Sequence, residues 1–253
     1  MKLSGNTILI TGGGTGIGFA FAERFMKAGN TVIATGRRER VLEQAKERLP
    51  GLITRVSDLD IESERIALFD WVTTHYPDVN ALVNNAGIQQ RFNALTVDAR
   101  TDWKAYNKEI TTNLEAPVHL ALLFAPWFAA REAAAILNVT SGLAFTPFAI
   151  APIYSATKAA LHSFTMSLRL QLSATSVEVI EVAPPAVNTD LGGTGLHVHG
   201  EPLDAFADGI FKGLEEGKAE VGYGTSVDRL RMSRDDIDAY AAKMYESSKG
   251  LIE

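Results

Sequence analysis

Apolar runs rich in β-branched residues recur along this chain of 253 residues, and a helical pattern separates each run from the next. The runs lack the alternation of apolar and polar residues that marks a strand with one solvated face, so we expect them to be buried on both faces. Parallel pairing of such strands needs long crossovers, which the intervening helices supply. The predicted strands are residues 7–11, 31–35, 53–56, 81–83, 135–139 and 177–182. The pattern predicts an α/β fold of the Rossmann type, a three-layer, doubly wound parallel sheet.

Residues 1–253 contain no internal repeat, linker or low-complexity tract that would divide them, so we predict a single domain. Hydrophobic residues make up 46% of the chain and charged residues 21%, which is typical of a globular protein. The chain has no cysteine, which excludes disulfides, cysteine nucleophiles and cysteine zinc sites. A formal net charge of -6 argues against nucleic acid as a partner.

The N-terminus has no basic segment followed by a cleavable apolar stretch, so we expect no secretory signal. The longest apolar stretch, residues 116–130, is interrupted by prolines and a histidine. It is shorter than the ~20 residues that cross a bilayer. We therefore expect a cytoplasmic protein without a membrane span.

A glycine-rich segment, TGGGTGIG at residues 11–18, joins the first predicted strand to a helix. Glycines in such a turn let the backbone approach a pyrophosphate, and the free N–H groups of the helix start face the anion. A flexible turn that needs glycine only for positive φ would give the same cluster. The strand before it and the amphipathic helix after it favour a dinucleotide site.

The second predicted strand ends in VIATGRRER, which has Arg37 where an acid would bind the 2′-hydroxyl of NAD. An arginine there neutralises a 2′-phosphate, so we expect NADP(H) to be preferred over NAD(H). The alternative is that Arg37 and Arg38 are the solvated start of a charged helix. Asp58, after the third strand, is placed to meet an adenine amino group, or it caps a helix that begins near Ile61.

Tyr154 and Lys158 in APIYSATKAALHSF are four residues apart and share one face of a predicted helix. A free phenol titrates near ~10, and an adjacent ammonium stabilises its phenolate. The protonated tyrosine can instead give a proton to a carbonyl oxygen. An isolated pair of this kind is more often a packed tyrosine with a snorkelling lysine. Here NVTSG ends a buried strand and places Ser141 where its hydroxyl can hold a substrate oxygen.

With these motifs the chain resembles the short-chain dehydrogenase/reductase family in its single-domain form, over nearly its whole length. TGGGTGIG resembles the cofactor turn of the family, and NNAG at residues 84–87 resembles its central-strand motif. Asn113 in ITTNLEAP, with Ser141, Tyr154 and Lys158, matches the catalytic tetrad. The runs NNAGIQQRFN, TSGLAFTP and PPAV are similar to a bacterial subset often called DltE-like.

The resemblance implies an NADP(H)-dependent oxidoreductase that interconverts a carbonyl and a secondary alcohol. It implies that Tyr154 is the general acid/base, that Lys158 lowers its pKa and holds the nicotinamide ribose, and that Ser141 orients the substrate oxygen. Asn113 would hold a water that links Lys158 to solvent. The expected cofactor contacts are Gly12, Gly14, Thr15, Gly16, Ile17, Gly18, Arg37, Asp58, Leu59, Asn85, Ala86, Gly87, Tyr154, Lys158, Val187 and Thr189.

The chain departs from the family pattern after the sixth strand, where APPAVNTD has Pro185 in place of the usual glycine. Proline excludes a positive φ and removes an N–H. We interpret the change as reshaping the substrate side of the pocket, with loss of cofactor binding as the alternative.

The pocket is expected to be mostly apolar with a few polar groups, which suits a small or medium carbonyl compound with one polar or anionic group. The expected lining is Gln89, Gln90, Arg91, Leu143, Phe145, Phe148 and Pro185. Arg91 is as well placed on the surface as in the pocket. A mobile lid is predicted at about 189–210. His197 and His199 lack a third ligand, so no metal site is expected.

Three other functions share part of this pattern, and the sequence gives an argument against each. A dinucleotide-sensing regulator would not need all four tetrad residues, and a nucleotide-sugar epimerase would need a longer chain. A hydrolase would need a GxSxG turn around Ser141, which TSG does not provide.

We also expect a homodimer or homotetramer, because the helices that carry Asn113 and Tyr154 present apolar residues. The residues taken for their outer faces are Leu120, Leu123, Phe124, Leu161, Phe164 and Met166.

Overall fold

The computed structural model describes residues 1–252 and contains one sheet of seven parallel strands. The strands are β1 (Thr7–Thr11), β2 (Thr31–Gly36), β3 (Ile53–Val56), β4 (Val79–Asn84), β5 (Ala134–Val139), β6 (Val177–Ala183) and β7 (Glu220–Gly222). Their order in the sheet is β3-β2-β1-β4-β5-β6-β7. The predicted three-layer Rossmann-type fold in a single domain is confirmed.

Helices cover both faces of the sheet and supply the crossovers between its strands. They are α1 (Gly16–Lys27), α2 (Glu39–Arg48), α3 (Glu62–His75), α4 (Trp103–Ile110), α5 (Ala116–Ala129), α6 (Pro152–Gln171), α7 (Leu203–Glu215), α8 (Thr225–Arg229) and α9 (Arg234–Ser248). A π-helical turn, Thr111–Glu115, connects α4 to α5. The strand order reverses between β1 and β4, and a crevice for ligands opens beyond the carboxyl ends of strands at such a point.

The side chains of β1 alternate between the two helix layers. Ile8 and Ile10 pack with Phe21 of α1 in one cluster, and Leu9 packs with Phe124 of α5 in the other. All five are fully buried. The two clusters fix the sheet between its helices and hold the carboxyl ends of the strands in place.

The predicted lid at 189–210 consists of two different structures. Residues 191–200 form turns, whereas α7 begins at Leu203 and buries Phe206, Ala207 and Ile210 in the core. A bridge between Val187 and Glu201 closes the base of the turn segment. Only the turn segment is free of the core, so a lid at this site would be shorter than predicted.

The assignment of the outer helix faces is partly wrong. Leu120, Phe124 and Leu161 are buried in the core of this chain. Met166 is exposed at 46%, as predicted, and Leu123 and Phe164 are half-buried. Leu122, which was not predicted, is exposed at 53%. The error arises because α5 is apolar on nearly every side, so its sequence does not show which side faces the sheet. In the part of the chain that the structure describes, no helix has the length and apolarity that crossing a bilayer requires.

We predict that Phe124→Ala lowers the free energy of unfolding by about 3–5 kcal/mol, because a fully buried aromatic side chain leaves a cavity. Leu122→Ala on the same helix is the matched control, with an expected change within about 0.5 kcal/mol for an exposed side chain. Urea unfolding of both variants checks this. Equal losses would contradict the assignment of the two faces.

Candidate active site

The ends of β1 and β4 are joined by the hydroxyl group of Thr11. Its oxygen accepts the N–H groups of Asn85 at 2.9 Å and Ala86 at 3.0 Å. The Asn85 amide in turn donates to the carbonyl oxygen of Thr11 at 2.9 Å. The NNAG motif is therefore held against the start of the glycine-rich turn, as expected if both contact one ligand.

The glycine-rich turn brings backbone close to backbone at two of its glycines. Gly12 has φ +65°, and a Cβ there would lie 3.0 Å from the Cα of Ala86. A Cβ at Gly18 would lie 2.4 Å from the carbonyl oxygen of Gly12. The turn therefore requires glycine at both positions.

Helix α1 begins directly after the turn, and the side chain of Thr15, its N-cap residue, makes no capping hydrogen bond. The first N–H groups of a helix have no partner within the helix, so they favour an anion. Thr189 lies beside this helix start, since a Cβ at Gly16 would be 3.5 Å from the Thr189 methyl group. Gly14 packs against Val41 of α2, and Ile17 is half-buried. The turn fits the pyrophosphate of a dinucleotide, with Thr189 on its far side.

Charged side chains of both signs lie where the adenosine part of a dinucleotide is expected to bind. Arg37 is half-exposed, and its guanidinium lies 3.8 Å from the Asp60 carboxylate. Asp60 also forms an ion pair with Lys108 at 2.7 Å and accepts a hydrogen bond from the hydroxyl of Thr112, which precedes Asn113. Asp58 accepts the N–H of Asp60 at 3.2 Å, which is a turn-stabilising role. Asp58 therefore orders the loop that leads to α3 at Glu62.

Leu59 and Val187 are both buried, at 7% and 4% exposure, so only their backbone groups are placed to meet a ligand. The carbonyl oxygen of Leu59 already accepts the guanidinium of Arg65 at 2.9 Å.

Asn113 lies in the π-helical turn and is fully buried. Its amide oxygen accepts the N–H of Ile88 at 2.9 Å, and its amide nitrogen donates to the carbonyl oxygen of Ile88 at 2.8 Å. The widened turn places this side chain against the strand-end loop, and such π-turns are frequent at functional sites. A Cβ at Gly87 would lie 3.3 Å from the Asn113 amide oxygen and 3.7 Å from the Lys158 ammonium nitrogen.

Ser141, Tyr154 and Lys158 are brought together beside the end of β5. All three are buried, at 6%, 6% and 3% exposure. The Lys158 ammonium donates to the carbonyl oxygen of Val139 at 2.8 Å and lies 5.7 Å from the centre of the Tyr154 ring. Ser141 forms a hydrogen bond with the Tyr154 phenol. The sequence-predicted tetrad therefore surrounds one volume next to Gly87.

Burial controls the electrostatics of this pair. It raises the pKa of Tyr154 to about 12, against a smaller lowering by the hydrogen bond from Ser141. Burial also lowers the pKa of Lys158 to about 8. The expectation that Lys158 depresses the phenol pKa is not met in this arrangement, because the ammonium is turned toward the Val139 carbonyl. Tyr154 is consequently a proton donor at neutral pH.

Unpartnered polar atoms lie on the loop after NNAG and on the turn segment 191–200. In residues 1–252, Gln89 Oε1, Arg91 Nε and His197 Nε2 are buried without a hydrogen-bond partner. Arg91 lowers the pKa of His197, second to burial, so the two side chains are neighbours. The segment approaches the loop at Gly192, where a Cβ would lie 3.0 Å from the Gln89 carbonyl oxygen.

Backbone hydrogen bonds on both sides of Pro185 fix the chain where it leaves β6. Pro184 accepts the N–H of Gly142 at 2.8 Å, and Glu201 donates its N–H to Ala186 at 2.8 Å. The exit of β6 is thus tied both to the Ser141 loop and to the base of the turn segment.

Two acidic residues of the site were not predicted from the sequence. Asp60 links Arg37 to the π-turn, and Glu109 is fully buried one helical turn before Asn113. The spacing of four residues between Glu109 and Asn113 was a usable signal, since the same spacing singles out Tyr154 and Lys158.

Comparison with known proteins places this geometry in a family. The model of the short chain dehydrogenase family matches residues 6–195. The uncharacterized oxidoreductase DltE of Bacillus subtilis is 44% identical, over 97% of this chain and 97% of that protein. The NADP-dependent 3-hydroxy acid dehydrogenase YdfG of Escherichia coli K12 is 31% identical, over 87% of this chain and 82% of that protein.

Solved structures agree with this placement. A short-chain dehydrogenase from Burkholderia cenocepacia in complex with NADP superposes with a TM-score of 0.81 at 24% identity, over 95% of this chain and 99% of that chain. One from Sphingobium yanoikuyae in complex with NADPH gives 0.78 at 25% identity, over 95% of each chain. The chain belongs to the short-chain dehydrogenase/reductase family of oxidoreductases.

We predict that Gly12→Ala weakens NADPH binding at least tenfold, because the new methyl group pushes the turn away from Ala86. Gly29→Ala is the matched control: its φ is +85° but no atom lies within 4 Å of the added Cβ. Both variants should lose about 1–2 kcal/mol of stability from the left-handed backbone. A fluorescence titration with NADPH measures the affinity of each variant, and equal affinities would contradict the role of the turn.

Proposed function

We propose that the protein is an NADP(H)-dependent oxidoreductase that interconverts a carbonyl and a secondary alcohol, with Tyr154 as general acid/base. The observation that carries this proposal is the convergence of Ser141, Tyr154 and Lys158, all buried, beside Gly87. Packing alone does not require a buried lysine and a buried hydroxyl at one strand end, since each costs free energy to desolvate. A site that moves a proton requires both.

The dinucleotide is bound in this proposal by the glycine-rich turn and the start of α1, with Thr189 beside it. Lys158 and Gly87 would hold its nicotinamide ribose, and Arg37 would bind the 2′-phosphate. When bound, the cofactor supplies or accepts the hydride. The NADP and NADPH complexes of related structures support the choice of phosphorylated cofactor.

Tyr154 gives its proton to the carbonyl oxygen as the carbonyl carbon is reduced, and Ser141 orients that oxygen. The raised pKa of Tyr154, about 12, keeps the phenol protonated at neutral pH. Carbonyl reduction is therefore the direction that this arrangement favours near neutrality. The opposite direction needs the phenolate, which forms at higher pH.

The substrate in this proposal is a small or medium carbonyl compound with one polar or anionic group. Arg91 offers an unpaired donor on one side of the site, Gln89 offers an unpaired acceptor, and His197 offers an unpaired ring nitrogen. Phe145 of the loop after Ser141 supplies apolar surface. One relative, named for 3-hydroxy acids, is consistent with an anionic substrate. We further propose a cytoplasmic homo-oligomer, with exposed Met166 and Leu170 available for contacts.

A panel of aldehydes, ketones and 3-oxo acids, followed by NADPH absorbance, tests the proposed function. We expect NADPH oxidation with at least one member and a lower KM for members that carry an acid group. Tight NADPH binding without turnover on any member would instead support a cofactor-sensing protein.

We predict that Arg37→Gln weakens NADPH binding tenfold or more, because a charge-assisted hydrogen bond to a phosphate contributes about 1.5–3 kcal/mol. NADH lacks the 2′-phosphate, so its affinity should not change. Arg38→Gln, next in the chain and also exposed, is the control and should leave both affinities unchanged. Equal loss for NADPH and NADH, or tighter binding of NADH to the unmodified protein, would contradict the role of Arg37.

A further inference from the structure

Glu109 is a buried carboxyl group that the proposed function does not use. It lies in the last turn of α4 and its side chain is fully buried. One oxygen, Oε1, accepts the backbone N–H of Gln90 at 3.2 Å. The other, Oε2, has no hydrogen-bond partner in the described residues.

Glu109 binds the loop that follows β4, the same loop that Asn113 binds. Glu109 contacts Gln90, and Asn113, four residues later, contacts Ile88 by two hydrogen bonds. Glu109 and Asn113 thus form hydrogen bonds with Gln90 and Ile88, two alternate residues of this loop. The same loop begins at Gly87, where a Cβ would lie 3.7 Å from the Lys158 ammonium nitrogen. Helix α4 packs directly on α6, which carries Tyr154 and Lys158.

The charged and titratable groups around Glu109 come from two elements. Helix α6 contributes Lys158, which lowers the Glu109 pKa, and Tyr154, whose pKa Glu109 raises. Its own helix contributes Tyr106, whose pKa is raised by burial, then by Asp102 and Glu109. The loop contributes the N–H of Gln90. Burial is the largest influence and raises the Glu109 pKa to about 7.

Holding the loop does not by itself account for a carboxyl group. A glutamine would accept the Gln90 N–H equally well and would avoid burying an ionisable group, which is costly when unpaired. The second oxygen of Glu109 therefore needs a proton or a charged neighbour. Lys158 is the cation on the helix that packs against α4.

We propose that Glu109 stores and releases the proton that Tyr154 exchanges during turnover, acting through Lys158. This proposal rests on the proposed function. Glu109 touches none of the reacting atoms, so it is a positioning residue that supplies the pair with protons.

The proton balance in carbonyl reduction runs from Glu109 inward. The Tyr154 O–H bond breaks as the substrate oxygen gains its proton, and the Lys158 ammonium then returns a proton to the phenolate. The neutral Lys158 amine takes a proton from the Glu109 carboxylic acid across an intervening water, since no hydrogen bond or ion pair joins the two side chains directly. The resulting carboxylate regains its proton from solvent. Alcohol oxidation reverses each transfer.

The first test measures the Glu109 ionisation without reference to activity. Protein labelled with ¹³C at the glutamate carboxyl groups should show one resonance that is missing from Glu109→Gln and has a midpoint near pH 7. Because the Lys158 charge lowers this pKa, Lys158→Met should move the midpoint to higher pH. A midpoint near the ordinary value of ~4.3, or one insensitive to Lys158→Met, would overturn the proposal.

The second test compares kcat for carbonyl reduction across pH. At pH 6 the wild-type acid can supply its proton, so Glu109→Gln should be slower by about tenfold or more. Above pH 8 the wild-type group is already ionised, so the gap should close. A purely structural defect would lower kcat equally at every pH, and that result would overturn the proposal.

Glu132→Gln is the matched control, because Glu132 is exposed and precedes β5 at the end of the sheet opposite Ser141. Its pH profile should follow the wild type. NADPH affinity and thermal unfolding of Glu109→Gln show whether it is folded. If wild-type protein reduces no carbonyl, the proposed function fails, and with it the role of Glu109, whatever the ¹³C midpoint shows.

Discussion

The site depends on the pair of hydrogen bonds between the Asn113 amide and the backbone of Ile88. A buried backbone N–H and C=O must both find partners, and Asn113 supplies a donor and an acceptor on one side chain. Its π-turn widens the helix at the point where the loop after β4 passes. Removing this side chain would leave two half-buried backbone groups of Ile88 unpaired near Lys158 and Gly87. Asn113 therefore connects the loop after β4 to the junction between α4 and α5, next to Gly87 and Lys158.

Burial is the second constraint on the chemistry. Tyr154, Lys158 and Glu109 are all buried, and desolvation holds the pKa of each away from its ordinary value. The pKa of Tyr154 is raised and that of Lys158 is lowered, so the two lie farther apart than those of a free phenol and a free ammonium. In the proposed reaction, proton transfer from the Lys158 ammonium to the Tyr154 phenolate is therefore favourable. Because Tyr154 is buried, the proposed reaction needs a nearby group, Glu109, to replace the proton that Tyr154 gives up.

The sequence predicts the central fold well because its strands are long apolar runs. β1 and β3 have the predicted bounds, and the other predicted strands differ by one or two residues at one or both ends. β7 was not predicted, since three residues beside the longer α7 give too short a pattern. The π-turn was also invisible, because a change of backbone register leaves no mark on the side-chain pattern. Glu109 was missed because a single acid looks like a solvated residue until packing shows it buried. Asp60 was missed because only the folded chain brings Arg37, Lys108 and Thr112 to its carboxylate.

The most direct measurement of the central claim is the rate of NADPH oxidation by a carbonyl substrate in single turnover, for wild-type protein and for Tyr154→Phe. Phenylalanine keeps the ring and removes only the hydroxyl that carries the proton. Loss of the general acid should slow this step by about 10²–10⁴-fold, with NADPH affinity nearly unchanged. A Tyr154→Phe protein that oxidises NADPH at the wild-type rate would contradict the account.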